Sequence, residues 1–134
     1  MTAVEPDGSA VHLGEERLEA DAVVFATGGV VPGGLQIGAE AREPLADLRV
    51  EHLPIDLLAA VHPDRPYGGA LFRVGVPVDG CLRPVGHDGA PIHPRLFAVG
   101  DLLAGPDSVG DRCSSGRAVL SGYLAAEHLS EALP

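Results

Sequence analysis

Arg95 to Leu129 reads RLFAVGDLLAGPDSVGDRCSSGRAVLSGYLAAEHL, and the rest of the chain falls into place around it. Leu96-Phe97-Ala98-Val99 is an uncharged apolar run, the composition of a strand buried on both faces of a parallel sheet. Gly100-Asp101 ends it, and a loop with Gly105, Gly110 and Gly116 follows. From about Ser115 to Glu131 the pattern turns helical: Val119, Leu120, Tyr123, Leu124, Ala126 and Leu129 recur at spacings of three and four. That periodicity predicts one apolar face, with Glu127, Ser130 and Glu131 left to solvent. Ser114 or Ser115 is the expected N-cap. Strand, glycine, acid, glycine loop and helix together make an arrangement able to hold a polar, phosphate-bearing cofactor. Glycine lets backbone approach a ligand closely, and the first helical turn offers unpaired N–H groups.

A second stretch, Leu18 to Gly29, reads LEADAVVFATGG. Ala22 to Ala26 is again uncharged and apolar, and Thr27-Gly28-Gly29 ends it. Ligands of open α/β sheets sit beyond the carboxyl ends of the strands. Two glycine-terminated strands side by side would form one such edge.

Composition narrows the classes. At 134 residues the chain is one domain with a modest core. Its 46% hydrophobic content predicts a folded chain, and with 4% aromatics the core must be built from Val, Leu, Ala and Ile. A net charge of −10 argues against nucleic-acid partners and against a polybasic membrane patch. Cys81 and Cys113 are isolated and no ligand spacing occurs, so no metal site is expected, although spacing leaves a disulfide open. No apolar run approaches ~20 residues, so no membrane span is expected. The N-terminus shows no charged-then-apolar signal pattern, so the cytoplasm is the expected compartment.

Along the chain, turn signals at Asp7-Gly8 and Gly14-Glu15 bracket Ala10 to Leu13 and predict a small antiparallel hairpin. Val30 to Ala41 reads as irregular loop. Ile55 to Val61 fits a short helix with Pro54 at its first turn, and His62 to Gly69 reads as loop. Ala70 to Val78 is a possible strand held to an edge by Pro77, and Leu82 to Val85 a possible short strand.

These residues carry a resemblance. ADAVVFATGG, followed much later by LFAVGD and a glycine/serine turn into a helix, resembles the two-part signature of flavoproteins with the glutathione-reductase-type FAD domain. Gly33-Gly34-Leu35, Arg42-Glu43-Pro44, Gly75-Val76-Pro77-Val78-Asp79 and Leu82-Arg83-Pro84 together resemble the B subunit of anaerobic glycerol-3-phosphate dehydrogenases. The implied fold is α/β: the C-terminal part of a flavin-binding Rossmann-like domain, with a central parallel sheet, a small antiparallel hairpin and a C-terminal helix. Residues 1–29 would be the hairpin and the strand ending in ATGG, 30–78 a short cap-like excursion, and 79–134 the return strand, GD loop and helix. The family's G-x-G-x-x-G fingerprint is not in this chain, which therefore reads as a fragment, a truncated reading frame or one piece of a split protein.

The resemblance implies FAD, with FMN the alternative, and the oxidation of glycerol 3-phosphate to dihydroxyacetone phosphate with electrons passed to quinone. It implies as partners a catalytic flavoprotein subunit and a membrane-bound iron–sulfur subunit, which would hold the chain peripherally at the inner face of the cell membrane. The implied cofactor-binding residues are Thr27, Gly28, Gly29, Gly100, Asp101, Ser114, Ser115 and Gly116. Asp101 would bond the ribityl chain, and the N–H groups of Ser114 to Gly116 a flavin oxygen. Arg112 and Arg117 either hold an anion or pair at the surface with Asp107 and Asp111; the second is the expectation. Six histidines sit mostly in polar loops, and no spacing singles out a catalytic base. Two other readings remain: a non-catalytic interaction module that needs a partner for the missing half, and a fumarate-reductase-like flavoprotein.

Overall fold

The computed structural model describes residues 3–38, 40–56, 60 and 69–133. Three strands open it: β1 (Ala3–Val4), β2 (Ala10–Leu13) and β3 (Glu16–Glu19) form an antiparallel meander. The expected hairpin is β2–β3, with Leu13 opposite Glu16 across a two-residue turn. Gly14 opens that turn at φ 67°, a conformation that glycine adopts without strain. One carboxylate ties the meander together. Glu5 accepts hydrogen bonds from Arg17 Nε (2.8 Å) and Ser9 Oγ (2.9 Å), and His12 Nε2 lies 3.2 Å away. Arg17 first, then Ser9 and His12, hold the Glu5 carboxyl down at about 2.

A depressed carboxyl stabilises the fold above its unfolded value of 4.5 and ceases to do so as pH falls through about 2. The unfolding midpoint is therefore expected to drop between those pH values. In Glu5→Gln that component of the acid dependence should be missing. Superimposable pH profiles for the two proteins would rule the cluster out as a source of stability.

Next come β4 (Val23–Phe25), β5 (Gln36–Ile37), β6 (Ala41–Arg42) and β7 (Leu96–Ala98). β5 and β6 pair antiparallel in the stretch expected to be irregular. β4 and β7 pair in parallel, with Val23 beside Leu96, Val24 beside Phe97 and Phe25 beside Ala98. The two apolar runs thus form one sheet, as their composition predicts. β7 is buried on both faces. β4 departs from that expectation, because Val24 is 45% exposed. The register puts Val24 on the same side as Phe97, and the helix on that side covers β7 only.

That helix, α1 (Ser114–Ala132), buries Ser121 and Ala125. Much of the predicted apolar face points outward: Val119, Leu120, Tyr123 and Ala126 are exposed, Leu124 is half-buried, and Leu129 packs inward. The physical reason is the helix's partner. Its inner row, Arg117, Ser121, Ala125 and Leu129, steps by four, and its first half meets the polar carbonyls of the loop after β7, while Ala125 and Leu129 pack with Phe97 and Val99. The N-cap is Cys113, without a side-chain bond, rather than a serine. The Ser114 hydroxyl is engaged elsewhere, and the Cys113 and Ser114 N–H groups both donate to Ser108 O.

On the other face of the parallel pair, Phe25, Leu96 and Ala98 join Val4, Leu35, Leu48, Val74, Val76 and Leu102 in one core cluster. Residues of the 30–78 stretch therefore pack on the sheet itself. Ala70–Arg73 is a single 3-10 turn rather than a strand. Gly69, at φ 128°, starts it and accepts the Phe72 N–H. Leu82 to Val85 is not a strand either: Leu82 is left-handed at φ 66°, Pro84 has no N–H, and only isolated bridges form there. The Asp79 carboxyl closes this corner. Burial works against its ionisation, but the Arg83 side chain and the N–H groups of Arg83 and Cys81 outweigh that and hold it below the usual range. The helix expected over Ile55 to Val61 and the loop from His62 fall mainly on residues outside those described. Both cysteines are free.

Candidate functional site

Parallel pairing places the ends of β4 and β7 on one edge. Phe25 O accepts the Val99 N–H at 3.0 Å, the last rung before both chains leave the sheet. Beyond it, Thr27-Gly28-Gly29 and Gly100-Asp101 emerge side by side. Glycine is required for that proximity. A Cβ on Gly29 would lie 2.8 Å from Asp101 O, and Gly28 (φ 79°) would drive one into Pro32. The chain then reverses, with Gly34 and Leu35 N–H both donating to Gly29 O.

The loop after β7 is clamped by the inner face of α1. Arg117 donates to Gly100 O (3.1 Å), Leu103 O (2.5 Å) and Pro106 O (3.2 Å). Ser121 Oγ accepts the Gly100 N–H at 2.8 Å and donates to Arg117 O at 2.7 Å. Ser114 Oγ donates to Asp101 Oδ2 at 2.7 Å. Asp107, nearly buried, accepts the N–H of Gly110 through one oxygen and of Gly69 through the other. Arg117 is thus a loop clamp, not the expected surface partner of Asp107 or Asp111. Both Asp107 oxygens are taken by backbone N–H groups, a pair with an exposed carboxylate is worth little, and the guanidinium's forked donors instead reach three diverging carbonyls. Arg112 is exposed, in a left-handed conformation at φ 55°.

Among the described residues, two buried polar atoms at this edge have no hydrogen-bond partner: Thr27 Oγ1 and Asp101 Oδ1. Leaving such an atom unmade costs roughly 1–3 kcal/mol. They are the donor and acceptor that a ligand with hydroxyl groups would satisfy. Next to them lies a cavity of about 200 Å³ bounded by Val30, Pro32, Leu71, Phe72 and Val109 along with Asp101. A second, polar hollow lies by the hairpin, at Ser9, Arg17, Glu19 and Arg95, away from this edge.

Of the eight expected binding residues, Thr27, Gly28, Gly29, Gly100 and Asp101 converge here. Ser114 reaches the edge through its hydroxyl, but its N–H is taken by Ser108 O. Ser115 and Gly116 are exposed in the first turn of α1. The residues that hold the loop, Arg117 and Ser121, were not among the eight. Their signal was the spacing 114, 117, 121, a polar row on one helical face. Among the described residues no group of three His, Cys, Asp or Glu could hold a metal, and no helix is long and apolar enough to cross a membrane.

Two curated relatives, each named as the probable B subunit of an anaerobic glycerol-3-phosphate dehydrogenase, come from two strains of Halobacterium salinarum. Each is 36% identical to this chain over 116 residues, which is 85% of the chain and 27% of the relative. The chain thus spans about a quarter of the length of the relatives it matches. No family model matches the chain. No solved structure matches it either. The similarity relates the chain to a dehydrogenase subunit, a protein that works together with other subunits.

Proposed function

We propose that the chain forms part of a flavin site in a dehydrogenase complex that oxidises glycerol 3-phosphate to dihydroxyacetone phosphate and passes electrons to quinone. The observation that carries this is the shared edge of β4 and β7, where glycine-lined backbone meets two unpartnered polar atoms. The residues fit a flavin. Its ribityl hydroxyls would supply a donor for Asp101 Oδ1 and a partner for Thr27 Oγ1, while Gly28 and Gly29 let the two strand ends that carry these atoms come together. When bound, the flavin supplies the hydride-accepting chemistry. The chain's own residues bind and orient. Ser114 fixes the Asp101 carboxylate, while Arg117 and Ser121 hold the loop that carries it. A separate flavoprotein subunit and an iron–sulfur subunit complete the complex in this reading, and FAD or FMN is the cofactor.

A second reading is favoured by uncovered apolar side chains: Val119 (75% exposed), Leu120 (59%) and Tyr123 (62%) on α1, and Val24 (45%) on β4. There the chain is a non-catalytic module packed against a partner. The visible spectrum of the complex isolated from its own host separates the two readings. Flavin in excess of what the separate flavoprotein subunit binds on its own, in proportion to this chain, is the expected result. A complex whose flavin is fully accounted for by that subunit, or a colourless one, would overturn the flavin reading and leave the module.

A further inference from the structure

We infer that the outward side of α1 docks a second copy of this chain, the two helices packing antiparallel about a two-fold axis. The inference stands apart from the flavin reading and names what covers the apolar side chains that the second reading leaves open. Gly116, Val119, Tyr123 and Ala126 step by three and four along the helix, opposite the inner row that starts at Arg117 and Ser121. Leu120 borders that stripe. Val119, Leu120 and Tyr123 are its large members, and all three are more than half exposed. A stripe of this kind on a 19-residue helix is a surface for another helix to pack on.

Charge says which helix. The first turn of α1 holds no acid and its last turn no base, so neither end is matched to the helix dipole. Instead Glu127 and Glu131 stand at the negative end, and Arg112 is exposed just before the positive end. An antiparallel pair brings each end to its opposite. With Leu120 of one copy beside Tyr123 of the other, the same register sets Arg112 against the second copy's Glu131, and Gly116 against the second copy's Glu127. A Cβ on Gly116 would meet nothing within 4 Å, so that first turn is open to an approaching carboxylate. Two-fold symmetry makes each contact twice, and the stripe complements itself.

The test is sedimentation equilibrium of the full chain at physiological salt, which screens the repulsion between two chains of net charge −10. With rising concentration the mass should climb from one chain of 13.7 kDa to two. Leu120→Glu alters an exposed side chain and should hold the mass at one chain, with the circular dichroism unchanged. Arg112→Glu turns two facing charge pairs repulsive and should weaken the pair about tenfold. Adding Glu131→Arg to that variant should restore it. A single-chain mass at every concentration would give the stripe to a different polypeptide and overturn the inference, leaving both readings above intact. A pair indifferent to Leu120→Glu forms through another surface, which also overturns it. A double exchange that fails to restore affinity would overturn the antiparallel register.

Discussion

Gly34→Ala is expected to destabilise the chain by about 3 kcal/mol or more, because the added methyl has no space. At this position a Cβ would stand inside van der Waals contact with Gly28 O and 2.6 Å from Thr27 O. Both are backbone atoms of the strand end that carries the candidate site, so neither rotates away. Relief requires the 27–29 segment to leave the edge or the 29–34 reversal to open. The neighbouring Gly33→Ala is the control. Gly33 sits at φ 89°, and a Cβ there would meet nothing within 4 Å, so its cost is conformational, about 1 kcal/mol. Urea unfolding of the two variants checks this. Equal costs would mean that the 34/28 approach is not made in solution.

The second large effect is expected at Glu43, which is fully buried at 0% exposure. Its carboxylate accepts the N–H of Leu45 at 3.0 Å and of Ala46 at 2.8 Å, folding the chain back just after Pro44. Glu43→Ala leaves two donors without their acceptor and a void where the side chain stood. Together these are expected to cost about 3 kcal/mol. Glu43→Gln keeps one oxygen in place and should cost about half as much. Thermal unfolding of both variants measures the difference. Alanine proving as mild as glutamine would show that the hydrogen bonds contribute little.

Both residues belong to short motifs visible in the sequence, yet their work was not. Gly33-Gly34-Leu35 reads as irregular loop, and Gly75 as part of a possible strand. In the structure Gly34 touches the backbone of 27–28, and Gly75 touches that of Leu103 and Ala104. What a glycine must avoid depends on which distant segment lies opposite, and local pattern carries no record of that. The parallel pair was legible because two uncharged runs, each ended by glycine, leave few alternatives to a buried sheet. The existence of α1 was legible from its period. Its orientation was not, since apolar spacing presumes an apolar partner, and the first half of α1 packs on carbonyls. Arg117 therefore looked like a surface charge although it faces inward. Asp101 was legible because a carboxylate at the end of a buried run needs a partner, and half of it still lacks one.

The parallel register has a bearing on the order of events during synthesis. β4 and β7 lie about seventy residues apart in the chain, so the edge closes only after a long loop has been brought round. The β2–β3 hairpin needs no such delay, its strands being joined by two residues. On a ribosome the meander therefore takes shape early, while Val23 to Phe25 waits exposed for a mate not yet translated. Thr27 and Asp101 become neighbours late in the life of the nascent polypeptide. Through that interval an apolar strand with a free edge is open to chaperones and to other unfinished chains.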